Sequence, residues 1–556
     1  MGEISMSEAW WKKSVVYQIY PKSFCDTTGN GIGDIPGIIS KLDYIKKLGV
    51  DVIWLTPVYK SPQNDNGYDI SDYYEIEPSY GTMEEFEQLL DETHQRGMKL
   101  IMDLVINHTS TEHEWFKQSA SAKDNPYRNF YIWKNSNTDS APNNWQSKFG
   151  GSAWEYDENT EQYYLHLFDK TQADLNWENE IVREKLIGMM RFWAEKGIDG
   201  FRLDVINLIS KNQDFPNDDT GDGRKFYTDG PKIHEYLHEM NQAVFSKYNM
   251  LTVGEMSSTN LESCVLYTKP VREELAMTFQ FHHLKVDYLN GEKWTKASFD
   301  FMELKEILTE WQVGMHEGDG WNALFWCNHD QPRVVSRFGD DGMYHKESAK
   351  MLATTLHMMK GTPYIYQGEE IGMTNPKFPS MKQYRDVESM NAHNTLKLAG
   401  KTEKEIMEIL QQKSRDNSRT PMQWSDDTQA GFTSGTPWIP LADNYKSINV
   451  ESALEDPNSI FYHYQQLIAL RKKYDIITYG DFQLLLKNNP QVFAYKREWN
   501  KEELLVISNF YGEDVSVNLP LTDVHPEILL SNYTDSTFNP NRLNLRPYES
   551  IIYYIK

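Results

Sequence analysis

The sequence predicts an α/β fold: a closed (β/α)8 barrel carrying an inserted subdomain, followed by an antiparallel β-sandwich. Three observations predict it. Eight short apolar runs recur along the chain, many preceded by an amphipathic helical stretch that ends in Gly or Asn. The runs are nearly continuous rather than alternating, as strands covered on both faces require. After about residue 480 the pattern changes to short β runs separated by Asn, Pro and Asp turns, which reads as a sandwich.

The elements follow in order. VVYQIY (15–20) is the first strand. Ile38, Leu42 and Ile45 then mark one helical face, Gly49 caps it, and DVIWL (51–55) is the second strand. Phe86, Leu89, Leu90 and Thr93 form the next face, closed by Gly97 and leading into KLIMDLVIN (99–107). Leu186, Met189, Met190 and Trp193 repeat the pattern, with Gly197 as cap and IDGFRLDV (198–205) as strand four. LTVGE (251–255), LAMTFQF (275–281), ALFWCNHD (323–330) and PYIYQGEE (363–370) complete eight, the number of a TIM-type barrel. At 556 residues the chain exceeds one compact core, so two or three domains are expected. The barrel is placed at 1–107 and 175–480, the inserted subdomain at 108–174 and the sandwich at 481–556. A second insertion, about 378–440, contains a helix near 401–413 and a Pro/Gly-rich return.

Composition excludes several classes of function. Acidic residues outnumber basic ones, 81 to 56, for a net charge of −25. Such a field repels nucleic acid and anionic membranes, and an anionic substrate would need a local basic patch. Three cysteines (Cys25, Cys264 and Cys327) with no paired spacing fit a reducing compartment. The N-terminal stretch lacks the basic-then-apolar pattern of a signal peptide, and no run of about 18 apolar residues exists. A cytoplasmic monomer acting on a small molecule is expected. The 16 Trp, 33 Tyr and 24 Phe suit carbohydrate surfaces, although aromatic rings also fill ordinary cores.

Barrel enzymes carry their chemistry at the C-terminal ends of strands. Asp204 ends strand four, Glu255 ends strand five and Asp330 follows strand seven. A strand-end Asp also commonly caps the following helix, but three acids converging on one face suit hydrolysis of a glycosidic bond. In the retaining form one carboxylate attacks the anomeric carbon, and the other protonates the leaving oxygen and then activates water, with the pair about 5 Å apart. Arg202, two residues before Asp204 on the same strand, shares its face and would keep Asp204 ionised as the nucleophile. Glu255 is then the acid/base.

DLVINH (103–108), GFRLDVIN (200–207), GE (254–255) and NHD (328–330) resemble the four signature segments of the α-amylase superfamily. NDNGYDISDY (64–73) and SRDNSRTPMQW (414–424) resemble its exo-acting α-glucosidase and oligo-1,6-glucosidase branch. The resemblance implies Asp204 as nucleophile, Glu255 as acid/base and Asp330 as the residue that orients the sugar 2- and 3-hydroxyls. It further implies that Asp65 and Arg419 bind the terminal glucose, that Tyr68 stacks beneath it, and that His108 and His329 donate to its hydroxyls.

FQFHHLKVDYLNGEKW (279–294), SSTNLESC upstream and WCNHDQPRVVSRFGDDG (326–342) downstream resemble the superfamily members that split trehalose 6-phosphate. Lys285 and Lys293, on the loop after strand six, are the candidate phosphate ligands, with Arg224 and Lys225 as rivals. Both lysines could instead pair locally with Asp287 or Glu292. Val205 matches the α-1,6-acting and trehalose-phosphate members alike. The alternative substrate is a neutral isomalto-oligosaccharide.

DTTGNGIGD (26–34) offers oxygens at Asp26, Thr28, Asn30, the Ile32 carbonyl and Asp34, an alternation suited to Ca2+ or Mg2+. Related glucosidases carry a calcium loop here. Thr and Asn replace stronger ligands in this version, and the alternative is a Gly-rich turn without an ion. Catalysis requires no cofactor in either case.

Overall fold

The computed structural model describes residues 9–136, 139–521 and 524–556. The first eight residues of the N-terminal stretch discussed above lie outside the described residues. The barrel strands are Val16–Ile19, Val52–Leu55, Lys99–Leu104, Gly200–Leu203, Leu251–Glu255, Met277–Phe279, Ala323–Phe325 and Thr362–Tyr366. All pair in parallel, in the order six, five, four, three, two, one, eight, seven. A parallel bridge between Thr278 and Asn322 joins strands six and seven and closes the ring. Nearly every strand residue is buried, which explains the continuous apolar runs.

Most of the strands are shorter than the sequence suggests, and for two of them this matters for the site. Strand four ends at Leu203, leaving Asp204 just beyond it. Strand seven ends at Phe325 rather than running to Asp330. The Asn328 side chain accepts the Asp330 N–H at 2.7 Å, a local turn that competes with the sheet ladder.

The helices form where apolar spacing predicts them. Thr82 and Glu85 make a reciprocal capping box at the start of Met83–Gln95, whose buried face is Phe86, Leu89, Leu90 and Thr93. Gly197, at φ 108°, ends Glu180–Lys196 in a left-handed conformation that suits glycine. The stretch after strand one is two helices, Ile35–Ser40 and Leu42–Leu48, because Lys41 leaves the helical region at φ −109°, ψ 4°.

His108–Ser110 pairs antiparallel with Gln172–Asp174, forming the neck of the inserted subdomain. Its core residues Trp145, Trp154, Leu165 and Leu167 pack on Val205, Leu208 and Phe215, which follow strand four. The insertion therefore covers the catalytic face. The second insertion holds two helices, Val387–Leu398 and Glu403–Lys413, rather than one. The first buries only Ser389 and Ala392, too thin an apolar stripe to stand out in the sequence.

The C-terminal region is a five-stranded antiparallel sheet facing a two-stranded one. Alternate residues divide its labour. Ala494, Leu505, Ile507 and Tyr553 pack against Val517, Leu543 and Leu545, while Phe493, Tyr495, Leu504 and Val506 join the barrel core.

Candidate active site

Arg202 is the centre of the site. It points inward from strand four and is almost fully buried. Its Nη1 donates to Asp103 Oδ1 at 2.9 Å and to Asp204 Oδ1 at 2.7 Å, and its Nη2 donates to Glu255 Oε2 at 2.5 Å. Strand pairing aligns Arg202 with Asp103 on one side and Val253 on the other, so adjacent strands deliver these groups to one face. Asp204 and Glu255 lie within hydrogen-bond reach of each other. Val205, immediately after Asp204, has φ 36°, a conformation that costs a β-branched residue energy. Its N–H points to Glu255 Oε2 at 3.3 Å.

One buried guanidinium among three carboxylates cannot neutralise them all. Burial, opposed by Arg202, raises Asp204 to about 6. Burial raises Glu255 well above the usual carboxylate range, and the neighbouring Asp204 and Asp330 add to the rise against Arg202. Asp103 is likewise raised by burial to about 6, and it accepts hydrogen bonds from Tyr68 Oη at 2.8 Å and Trp54 Nε1 at 3.2 Å.

Asp330 behaves in the opposite way. Burial alone would raise it, but His329, Arg415 and Arg419 outweigh that effect and hold it well below the usual range. Arg419 Nη2 lies 2.9 Å and Arg415 Nη1 3.3 Å from Asp330 Oδ1. Gln18 donates its amide to His329 Nδ1 at 2.8 Å, which leaves the proton on Nε2, 3.3 Å from Asp330. Tyr68 stacks on His329 with ring centroids 5.1 Å apart and planes 3° apart.

Asp65 also reaches this group, but its cation is Arg415, at 3.1 Å, rather than Arg419. Gln172 of the insertion neck donates to the other Asp65 oxygen at 3.0 Å. Asp386 locks Arg415 from behind through Nε at 2.9 Å and Nη2 at 2.5 Å. His108 lies beside Tyr68, but both its ring nitrogens are occupied. Asn107 donates to Nδ1 at 3.1 Å, and Nε2 donates to the Tyr68 carbonyl at 3.1 Å. Sequence reasoning missed Arg415, Asp386, Gln172 and Asp103 as site residues. Arg415 and Asp103 stand inside motifs that were recognised, whereas nothing local marks Gln172.

Three cations, Lys148, Lys285 and Arg224, come close enough to repel one another. Lys148, from the inserted subdomain, is lowered to about 7 by burial and by repulsion from Arg224 and Lys285, with Asp222 and Glu255 pulling the other way. Burial also lowers Lys285, together with repulsion from Arg224 and Lys293. Among the described residues neither Lys148 nor Lys285 has a carboxylate within ion-pair distance. Lys293 differs: it pairs with Glu388 at 2.5 Å, not with Asp287 or Glu292. Arg224 pairs with Asp222 at 2.9 Å and Lys225 with Asp218 at 3.1 Å, both half exposed. Lys148 escaped the sequence reading because it lies in an insertion with no strand to place it.

Loop 26–34 turns its oxygens inward. Asp26 accepts from the Thr28, Gly29 and Gly31 amides, and Asp34 accepts from Thr27 and caps the next helix at Gly37 N. The Asn30 side chain accepts from Ile32 N. Among the described residues no group of three or more His, Cys, Asp or Glu side chains could hold a metal ion. In the loop itself Asp26 and Asp34 supply only two carboxylates, and both already accept hydrogen bonds from nearby backbone amides. Also among the described residues, no helix is long and apolar enough to cross a membrane.

Comparison with known proteins agrees with this architecture. Residues 18–480 match the alpha-amylase catalytic domain, and 492–552 match the C-terminal domain described for the alpha-amylase SusG. The chain is 64% identical to trehalose-6-phosphate hydrolase of Bacillus subtilis, over 98% of each chain. It is 54% identical to oligo-1,6-glucosidase of Parageobacillus thermoglucosidasius, over 99% of this chain and 100% of that one. The crystal structure of Bacillus licheniformis trehalose-6-phosphate hydrolase superposes with a TM-score of 0.95 at 65% identity, covering 98% of this chain and 100% of that chain. With its eight-stranded barrel, its gathered acids and these matches, the chain belongs to the α-amylase family of glycoside hydrolases.

Proposed function

We propose that the chain is a retaining, exo-acting α-glucoside hydrolase that splits trehalose 6-phosphate into glucose and glucose 6-phosphate. Asp204 is the nucleophile: its ionised oxygen attacks the anomeric carbon. Glu255, protonated near neutrality, gives its proton to the departing glycosidic oxygen and is left as an anion against Arg202. It then takes a proton from water as that water attacks the glucosyl carbon and frees Asp204. Contact between the two carboxyls supports retention, because inversion requires a gap of about 6.5–9.5 Å for a water between them. Asp330 and His329, held by Arg415, Arg419 and Gln18, bind the sugar hydroxyls, while Asp65 and Tyr68 line the closed end that makes cleavage exo-acting. The carboxylates carry the reaction by themselves, so no cofactor is needed.

The observation that carries the substrate choice is the mutually repelling cluster of Lys148, Lys285 and Arg224, with Glu255 attracting Lys148, on a chain of charge −25; among the described residues neither lysine has an ion-pair carboxylate. Glu255 stands at the leaving-group oxygen, so these charges flank the leaving sugar, where trehalose 6-phosphate carries its dianion. Each charge-assisted contact contributes about 1.5–3 kcal/mol, enough for two to favour a phosphorylated over a neutral sugar by tens-fold or more. The relatives named trehalose-6-phosphate hydrolase support the same reading, and the site of action that we propose is cytoplasmic. Parallel kinetics on trehalose 6-phosphate and isomaltose test it. A higher kcat/KM on isomaltose overturns it and assigns the chain to the oligo-1,6-glucosidases.

A further inference from the structure

Lys413 ends the helix Glu403–Lys413 of the second insertion and is buried, with 1% of its surface exposed. Its ammonium is not spent on a close carboxylate; the nearest, Asp287 Oδ1, is 3.7 Å away. It donates instead to three backbone carbonyls of the loop after strand six: Asp287 at 2.8 Å, Lys293 at 3.2 Å and Thr295 at 3.0 Å. The same loop is held from the other side by Arg337. That guanidinium grips both Asp287 oxygens at 2.9 Å and also donates to the Leu284 carbonyl. Lys285 thus sits between two residues that Arg337 holds. Lys293 is fixed at its carbonyl by Lys413 and at its tip by Glu388, on the neighbouring helix of the same insertion.

We infer that Lys413, with Arg337, is a positioning residue for substrate selectivity: it fixes the loop that carries Lys285 and Lys293 on the leaving-group side, without touching substrate itself. A loop of this kind would otherwise sample many conformations, and an anion would have to order it on binding. Pre-ordering keeps the lysines near one another despite their repulsion. The inference rests on the phosphorylated-sugar reading above and deepens it.

The test compares Lys413→Met and Lys413→Gln with the parent on trehalose 6-phosphate and on 4-nitrophenyl α-glucoside, alongside hydrogen exchange of the 285–300 segment. In Lys413→Met, three buried carbonyls lose their donor. KM for the phosphorylated sugar should rise by about tenfold or more, while both constants for the neutral glucoside stay within about twofold. Loop exchange should quicken by about tenfold. Lys413→Gln retains two N–H donors and should fall between parent and Met. Equal impairment on both substrates overturns the inference, as does faster loop exchange with an unchanged KM. If Lys413→Met fails to fold, the same split in Lys413→Gln decides. Failure of the parent itself to hydrolyse trehalose 6-phosphate sinks the substrate reading instead, and unaltered exchange in the variant sinks the clamp whatever the substrate.

Discussion

At the scale of single residues, the site works by sharing one cation among three acids. Arg202 stabilises the ionised forms of Asp103, Asp204 and Glu255, but burial favours the neutral ones, so the protons end up distributed unequally. Glu255 keeps its proton best and Asp204 gives one up at about 6. Asp204→Asn should therefore lower kcat by at least about a thousandfold with the melting temperature retained; activity above about a thousandth of the parent's would count against a nucleophile. The pH profile follows by sign. A nucleophile must be ionised, so kcat/KM should fall as pH drops through about 6, and it should fall again on the alkaline side as Glu255 loses its proton. Lys148 adds a second signature. Lowered to about 7, it loses charge above that pH, so KM for the phosphorylated sugar should climb between neutrality and mild alkalinity while KM for a neutral glucoside stays flat. Lys148→Ala should raise KM for the phosphorylated sugar about tenfold and abolish that climb.

Among the elements, loops decide more than strands do. The barrel strands bring Arg202 and Glu255 to one face, but the turn at Val205 aims Asp204, and the turn at Asn328 sets Asp330. The turn at Val205 stores a strained conformation that the surrounding packing has to maintain. Loop 26–34 shows how a loop can hold itself. Its two carboxylates are taken up by its own amides and by a helix cap, so we propose that hydrogen bonds rather than a cation hold it. A specific ion would stabilise the native state by mass action. Melting temperatures in excess Ca2+ and in chelator should then agree within about one degree. A clear rise with Ca2+ would show that the loop does bind the ion.

For the molecule as a whole, three additions turn a barrel into this enzyme. The inserted subdomain covers the catalytic face and supplies Lys148, and the second insertion supplies the helices that anchor the loop after strand six. The C-terminal sandwich is joined to the barrel by shared apolar packing and by buried cations. Lys305, on the barrel helix Phe301–Glu317, donates to the Leu486, Asn489 and Val492 carbonyls at 3.0, 2.7 and 3.2 Å. Lys305→Met would leave these groups without their donor. It should cost about 1–3 kcal/mol of stability in chemical denaturation while leaving KM for either sugar unchanged. A shift in KM instead would tie the sandwich to the site.

The sequence by itself determined the barrel, because each strand and helix announces its buried face through local spacing, and it marked Asp204, Glu255 and Asp330 because each stands in a short motif near a strand end. Only the tertiary structure decided which charges meet. Asp65 and Arg415 are 350 positions apart, and Lys293 finds Glu388, 95 positions away, instead of its neighbours Asp287 and Glu292. Nor could spacing reveal that Lys148 meets Lys285 and Arg224, or that Lys413 spends its charge on three carbonyls. Apolar periodicity is a property of one segment, whereas an ion pair or a backbone clamp depends on where two distant segments come to rest.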